Sequence, residues 1–314
     1  MRKIQREDIH TVSMHSNLTE QAVDKALREN VYHDRQAWQK FLQLLFFCLG
    51  IGFTVSGLIF FFAYNWAALH KFVKIGLIEG LLIATIMWVV LLRVKTIYKD
   101  ILLTAASLIV GVLFAVYGQV YQTGANAYDF FLAWTIFVAL WVWVANFAPL
   151  WLLFMLLLNT TLILYAQQVA QDWSEVTLST LLFTINAFAW IVAHRYRQKG
   201  APKWFIYTMA LSAICFATMG IVIGILDKFY FLFPFLTIVT AITYGLGLWY
   251  GIKSKNSFYL SAIPFSLIII ISSLFMKISD DAPMFLLVSL FIVCSVTFTI
   301  KNLIDIQKAK SNDT

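Results

Sequence analysis

The chain has 314 residues, of which 61% are hydrophobic and only 12% charged, with a mean hydropathy of +0.80 and a formal net charge of +7. Soluble globular domains carry about 25% charged residues, so this composition excludes that class and asks for membrane helices of about 20 residues each. Nor does the positive charge point to nucleic acid, because the cations sit between apolar runs and follow membrane topology.

Residues 1–42 read as a polar cytoplasmic head. Asn17 and Glu20 have the spacing of a capping box. Leu18, Ala22, Val23, Ala26 and Leu27 recur at helical spacing among charges, which predicts a short amphipathic helix and a second one from about Val31 into the membrane. Such a pattern fits a helical pair folded on the membrane face, or an element that docks a partner. The first forty residues contain no apolar run, so a cleavable signal peptide is not expected and the first span should serve as an uncleaved anchor.

Ten apolar segments follow, near 43–64, 72–92, 101–121, 129–147, 150–170, 176–195, 204–226, 231–252, 257–276 and 284–302. Residues 303–314 form a polar tail. The fourth and fifth segments are separated only by the residues from Asn146 to Pro149, where a proline tolerated in a first turn argues for a break. The charges test that count. With the head in the cytoplasm, 19 of the 23 Lys and Arg residues fall on the inner side, leaving Lys71, Lys74, Lys228 and Lys277 outside. Merging the two segments would scatter the cations over both faces, whereas basic residues concentrate in cytoplasmic loops. The expected fold is therefore an all-α polytopic bundle of about ten spans, 43–302, with both termini cytoplasmic.

Trp66, Tyr98, Tyr121, Trp151, Trp173, Trp204, Tyr230 and Trp249 lie near expected span ends, where amphipathic rings prefer to sit. Trp88, Trp134, Trp141, Trp143 and Trp190 are read as deeper packing residues. Gly76 with Gly80, and Gly220 with Gly224, have the GxxxG spacing of close helix packing, and Gly50, Gly52, Gly57 and Gly111 are further small positions.

Polar groups inside the hydrocarbon carry the functional signal, because they need partners there. Glu79 is read as roughly 10 Å deep in the second span. With Asn65, Trp66, Gln119 and Tyr121 it forms a candidate polar pocket open to the outside. Gln167, Gln168 and Asp227 close other spans on the same side. Asn159 and Asn186 lie at equal depth, counted outward from a turn near Trp173, which predicts an interhelical amide contact. Cys48, Cys215 and Cys294 sit in apolar runs with no CxxC partner, and no metal-ligand spacing appears, so neither metal nor cofactor is expected. No GxSxG, Walker-type, HExxH or dinucleotide motif is present either.

The stretch 57–74, with Asn65-Trp66, Leu69 and Lys74, resembles a family of prokaryotic membrane proteins catalogued as domain of unknown function 2157. The same resemblance takes in Thr19, Glu20, Gln21 and Ala22 in the head, the Gly118-Gln119-Val120-Tyr121 element and Trp134 beyond it. It covers about the first half of the chain. His70 and Ala67 stand where the family usually has a proline and an acidic residue. The resemblance implies a multi-span protein of the bacterial inner membrane. It implies no chemistry. Some members of that family are encoded beside a small membrane-anchored protein with a Gly-Asp-Tyr motif, so the resemblance also implies a membrane partner.

Two functions follow from these residues. One is transport of a small solute or lipid-like substrate through the polar pocket. The alternative is a non-catalytic membrane scaffold or subunit of an envelope complex, bound to another small membrane protein through the head or the bundle. A lipid-acting enzyme is disfavoured, since one deep carboxylate without a nearby His, Asp or Cys is thin for acid–base work.

Overall fold

The structure, a computed structural model, describes residues 9, 12–13, 19–30, 35–65, 69–91, 95–121, 124, 126–196, 201–227, 230–279 and 281–312. Among them there are eleven helices and no strand: α1 (Glu20–Asn30), α2 (Arg35–Asn65), α3 (Lys71–Leu91), α4 (Thr96–Tyr121), α5 (Ala127–Ala145), α6 (Ala148–Gln168), α7 (Glu175–Arg195), α8 (Lys203–Leu226), α9 (Phe233–Lys253), α10 (Ser257–Ile278) and α11 (Ala282–Asn312). Ten of these, α2 to α11, are long and apolar enough to cross a membrane. Both α2 and α11 have 31 residues, roughly 46 Å at the α-helical rise and so longer than a hydrocarbon core of about 30 Å. Their polar ends therefore continue as helix beyond the apolar spans, and α11 carries the expected tail as far as Asn312.

Local chemistry explains the tightest boundaries. Asn146 ends α5 in the left-handed region, at φ 46° and ψ 40°, a conformation asparagine adopts more readily than most residues. Its N–H donates to the Val142 carbonyl, and its Oδ1 accepts from Trp151 Nε1 at 3.2 Å. Phe147 is the N-cap of α6, and Pro149 lies in the first turn. The segments on either side of Asn146 are thus two helices. Helix α1 begins later than the expected capping box. Thr19 precedes it and its hydroxyl accepts from the Ala22 N–H at 3.4 Å, while Asn17 lies outside the described residues.

The chain divides into two compact units, residues 1–112 and 113–313, and the division falls inside α4. In the first, none of the described α2 side chains is buried. Helix α3 buries a stripe of Lys74, Ile78, Leu82 and Val89. Phe47 of α2 meets Tyr98 of α4 edge-on, with ring centroids 5.2 Å apart. Thr54, Thr85, Thr104 and Ser107 each donate to a carbonyl one turn back in their own helix, the usual local bond of a helical hydroxyl.

Residues 113–313 are organised around α8, which packs against α6, α7, α9 and α10. Its small residues make this possible. Ala213 and Ala217 meet Val176 and Phe183 of α7 and Leu236 of α9. Phe205, Ile206 and Met209 meet Met155 of α6 and Ala193 of α7. Ala210 joins Tyr244 of α9 and Tyr259 and Ile263 of α10. A separate layer, Val138 and Val142 on Leu150 and Leu157, holds α5 to α6. Lipid tails are as apolar as these side chains, so close packing and interhelical hydrogen bonds, rather than escape from water, hold such helices together.

The glycine expectations divide. A Cβ at Gly220 would lie 2.7 Å from both Ser179 Cβ and Leu236 Cδ2, and one at Gly224 would collide with the Phe233 ring, so this GxxxG pair does bring helices close. At Gly50, Gly52, Gly57, Gly76 and Gly80 a Cβ would meet nothing within 4 Å, and close packing does not explain those five. Trp88 and Trp143 are 57% and 81% exposed, not core residues. Each lies within one turn of a helix C-terminus, where an indole suits the headgroup level.

Candidate functional site

The five residues of the expected pocket are distributed as follows. Trp66 and the Asn65 side chain lie outside the described residues, and the Asn65 backbone ends α2. Glu79 is exposed on α3, off the buried stripe of that helix. Gln119 and Tyr121 are exposed at the end of α4, where the Tyr121 ring tilts onto Tyr117 with centroids 4.5 Å apart. Glu79 belongs to residues 1–112, Gln119 and Tyr121 to residues 113–313.

Two other span-end residues have structural partners. Gln168, at the end of α6, accepts from the Tyr128 N–H at 3.0 Å and so satisfies the first turn of α5. Asp227 accepts a hydrogen bond from the Tyr230 hydroxyl, which holds that loop phenol above its ordinary titration range. Lys277 ties the same corner by donating to the Leu226 carbonyl at 2.7 Å.

Deep in residues 113–313 the structure brings Asn159 and Asn186 together. Asn186 Nδ2 donates to Asn159 Oδ1 at 2.9 Å, and Asn159 Nδ2 donates back to Asn186 Oδ1 at 3.3 Å. The second Asn186 N–H reaches the Leu182 carbonyl at 2.8 Å, and the residue is wholly buried. Thr135 and Thr161 form a similar tie between α5 and α6 at 3.0 Å. Thr218, Tyr244 and Ser266 join α8, α9 and α10. Each hydroxyl has one proton, and Thr218 directs its own to the Ile214 carbonyl at 2.6 Å. Ser266 then donates to Thr218 at 2.5 Å and Tyr244 to Ser266 at 2.7 Å. Among the described residues, the buried hydroxyls of Thr240 and Ser272 have no hydrogen-bond partner.

A second polar feature lies where the ends of α7 and α9 meet the starts of α8 and α10. His194, Lys203, Tyr207, Tyr250, Asn256 and Tyr259 line a small open notch there. Its free volume of about 10 Å³ is close to what one water molecule needs. The walls are fixed by rings. Trp190 and Tyr250 flank His194 at centroid distances of 5.6 Å each, and Tyr207 stacks on Phe258 at 4.6 Å. Asn256 is held by accepting from the Phe258 N–H at 3.0 Å and donating to Tyr207 Oη at 3.1 Å. Trp190 Nε1 donates to Tyr259 Oη at 2.9 Å. The sequence carries only a faint sign of this notch. Its trace there is a cation or aromatic residue at the same-side ends of four consecutive spans. Among the described residues, no three His, Cys, Asp or Glu side chains gather as metal ligands.

No curated protein and no solved structure matches the chain. A family model does: residues 15–151, somewhat less than half of the chain, match the family described as "Predicted membrane protein (DUF2157)", and the motifs at Thr19, Asn65-Trp66 and Gly118–Tyr121 all fall within that stretch.

Proposed function

We propose that this membrane protein acts as a non-catalytic scaffold or subunit of a complex in the bacterial inner membrane. What supports the reading is the use of polar groups deep in residues 113–313, where Thr240 and Ser272 are exceptions. Asn159 and Asn186, Thr135 and Thr161, and the Thr218, Tyr244 and Ser266 set are committed to one another. A solute path needs polar groups left open to the solute, whereas mutual closure serves to join helices. The distribution of Lys and Arg supports placing both termini in the cytoplasm. On this reading residues 1–42 are a cytoplasmic head, 43–302 the bundle and 303–314 a polar tail. A small membrane protein engages the head or the bundle.

Glu79 favours the second reading, transport through an outward-facing pocket of Asn65, Trp66, Glu79, Gln119 and Tyr121. An exposed carboxylate on an apolar span is costly in lipid and is commonly functional. Proteoliposomes loaded with a pH-sensitive dye and given a potassium diffusion potential separate the two. The scaffold reading expects wild type and Glu79→Gln to leak protons no faster than empty liposomes. Proton entry that is present in wild type and lost in Glu79→Gln would replace it with the transport reading.

A further inference from the structure

We propose that the notch between α7, α8, α9 and α10 binds a phosphate group, supplied by an anionic lipid headgroup or by free phosphate. The site presents donors to an anion. Tyr207 Oη already accepts from Asn256, which leaves its own proton available to donate. Tyr250 and His194 line the same space, and Lys203, which lines it too, brings a full positive charge.

The backbone adds to this. Lys203 is the first residue of α8, and Pro202 before it offers no side-chain cap to the free N–H groups of that turn, so the positive end of the helix dipole faces the same region. The sequence around the notch favours an anion. Residues 190–207 and 249–260 contain no Asp or Glu, but include Arg195, Arg197, Lys199, Lys203, Lys253 and Lys255. The free volume admits about one oxygen atom. One phosphate oxygen therefore enters the notch while the rest of the group stays at its mouth beside Lys203. Basic clefts between membrane helices commonly hold anionic headgroups in this way. Trp249, 61% exposed with Lys253 Nζ 5.0 Å from its ring centroid, marks the same end as a headgroup-level surface.

The test is calorimetric titration of the full-length protein in neutral detergent, with dihexanoyl phosphatidylglycerol in one arm and inorganic phosphate in the other. Saturable binding of the lipid alone assigns a headgroup, and saturable binding of inorganic phosphate assigns the free anion as a ligand. In either case Lys203→Gln and Tyr250→Phe should each weaken binding about tenfold, the loss expected for one charge-assisted or well-placed hydrogen bond. Lys301→Gln, the same charge change at an exposed position on α11, should leave it unchanged. The proposal is overturned if neither ligand binds saturably, if both site variants bind as wild type does, or if Lys301→Gln weakens binding as much as Lys203→Gln.

Discussion

Replacing Asn186 with leucine should lower the unfolding free energy by about 2 kcal/mol, and adding Asn159→Leu should recover roughly half of that loss. The single change removes both bonds of the reciprocal amide pair and leaves the Asn159 carboxamide facing an apolar surface. Interhelical hydrogen bonds in membranes contribute about 0.6 kcal/mol on average and up to about 1.7. An unsatisfied buried polar group costs about 1–3 kcal/mol, so the stranded partner dominates the effect. The double variant replaces both amides with groups of similar volume and strands neither, hence the recovery. A double-mutant cycle read by steric trapping in bicelles measures the coupling directly. Strictly additive losses would mean that the pair contributes nothing as a pair.

Gly220→Ala should cost about 1–3 kcal/mol, the usual range for overpacking a filled interface. The added methyl would sit 2.7 Å from Ser179 Cβ, an atom one bond from the α7 backbone that cannot yield without moving the helix. Gly224→Ala should cost less, although its neighbour is also close. That neighbour is the ring of Phe233, a half-buried first residue of α9 that can swing aside. Gly76→Ala, where a methyl would meet nothing within 4 Å, should be neutral or slightly stabilising through helix propensity. Thermal unfolding of the three variants in one detergent ranks them. An unchanged midpoint for Gly220→Ala would show that α7 and α8 are packed less closely than these distances state.

Features governed by one-dimensional rules were legible in the sequence. Span lengths follow from the thickness of the hydrocarbon layer, and the break at Asn146 follows from an asparagine that accepts a left-handed conformation ahead of a first-turn proline. The equal depth of Asn159 and Asn186 is a matter of counting residues from the Trp173 turn. What stayed hidden depends on which way a helix face points. Gly76 and Gly80 share the spacing of Gly220 and Gly224, yet only the latter pair meets another helix. Gly247 and Gly251 of α9, which lie against Ile263 and Leu260 of α10, have that spacing too. A helix apolar all round has no sequence stripe to mark its buried side. The notch was hidden for a different reason: its residues are ordinary for a membrane boundary and become distinctive only when four helix ends converge.

The most direct test of the ten-span account compares the sides of three positions in one chain. With Cys48, Cys215 and Cys294 changed to serine, single cysteines at Ser13, Asp172 and Ser254 are exposed to a membrane-impermeant thiol reagent in intact cells. The account predicts labelling at 172 only, with 13 and 254 reacting only after the cells are opened. Labelling of 13 and 254 from opposite sides would contradict it.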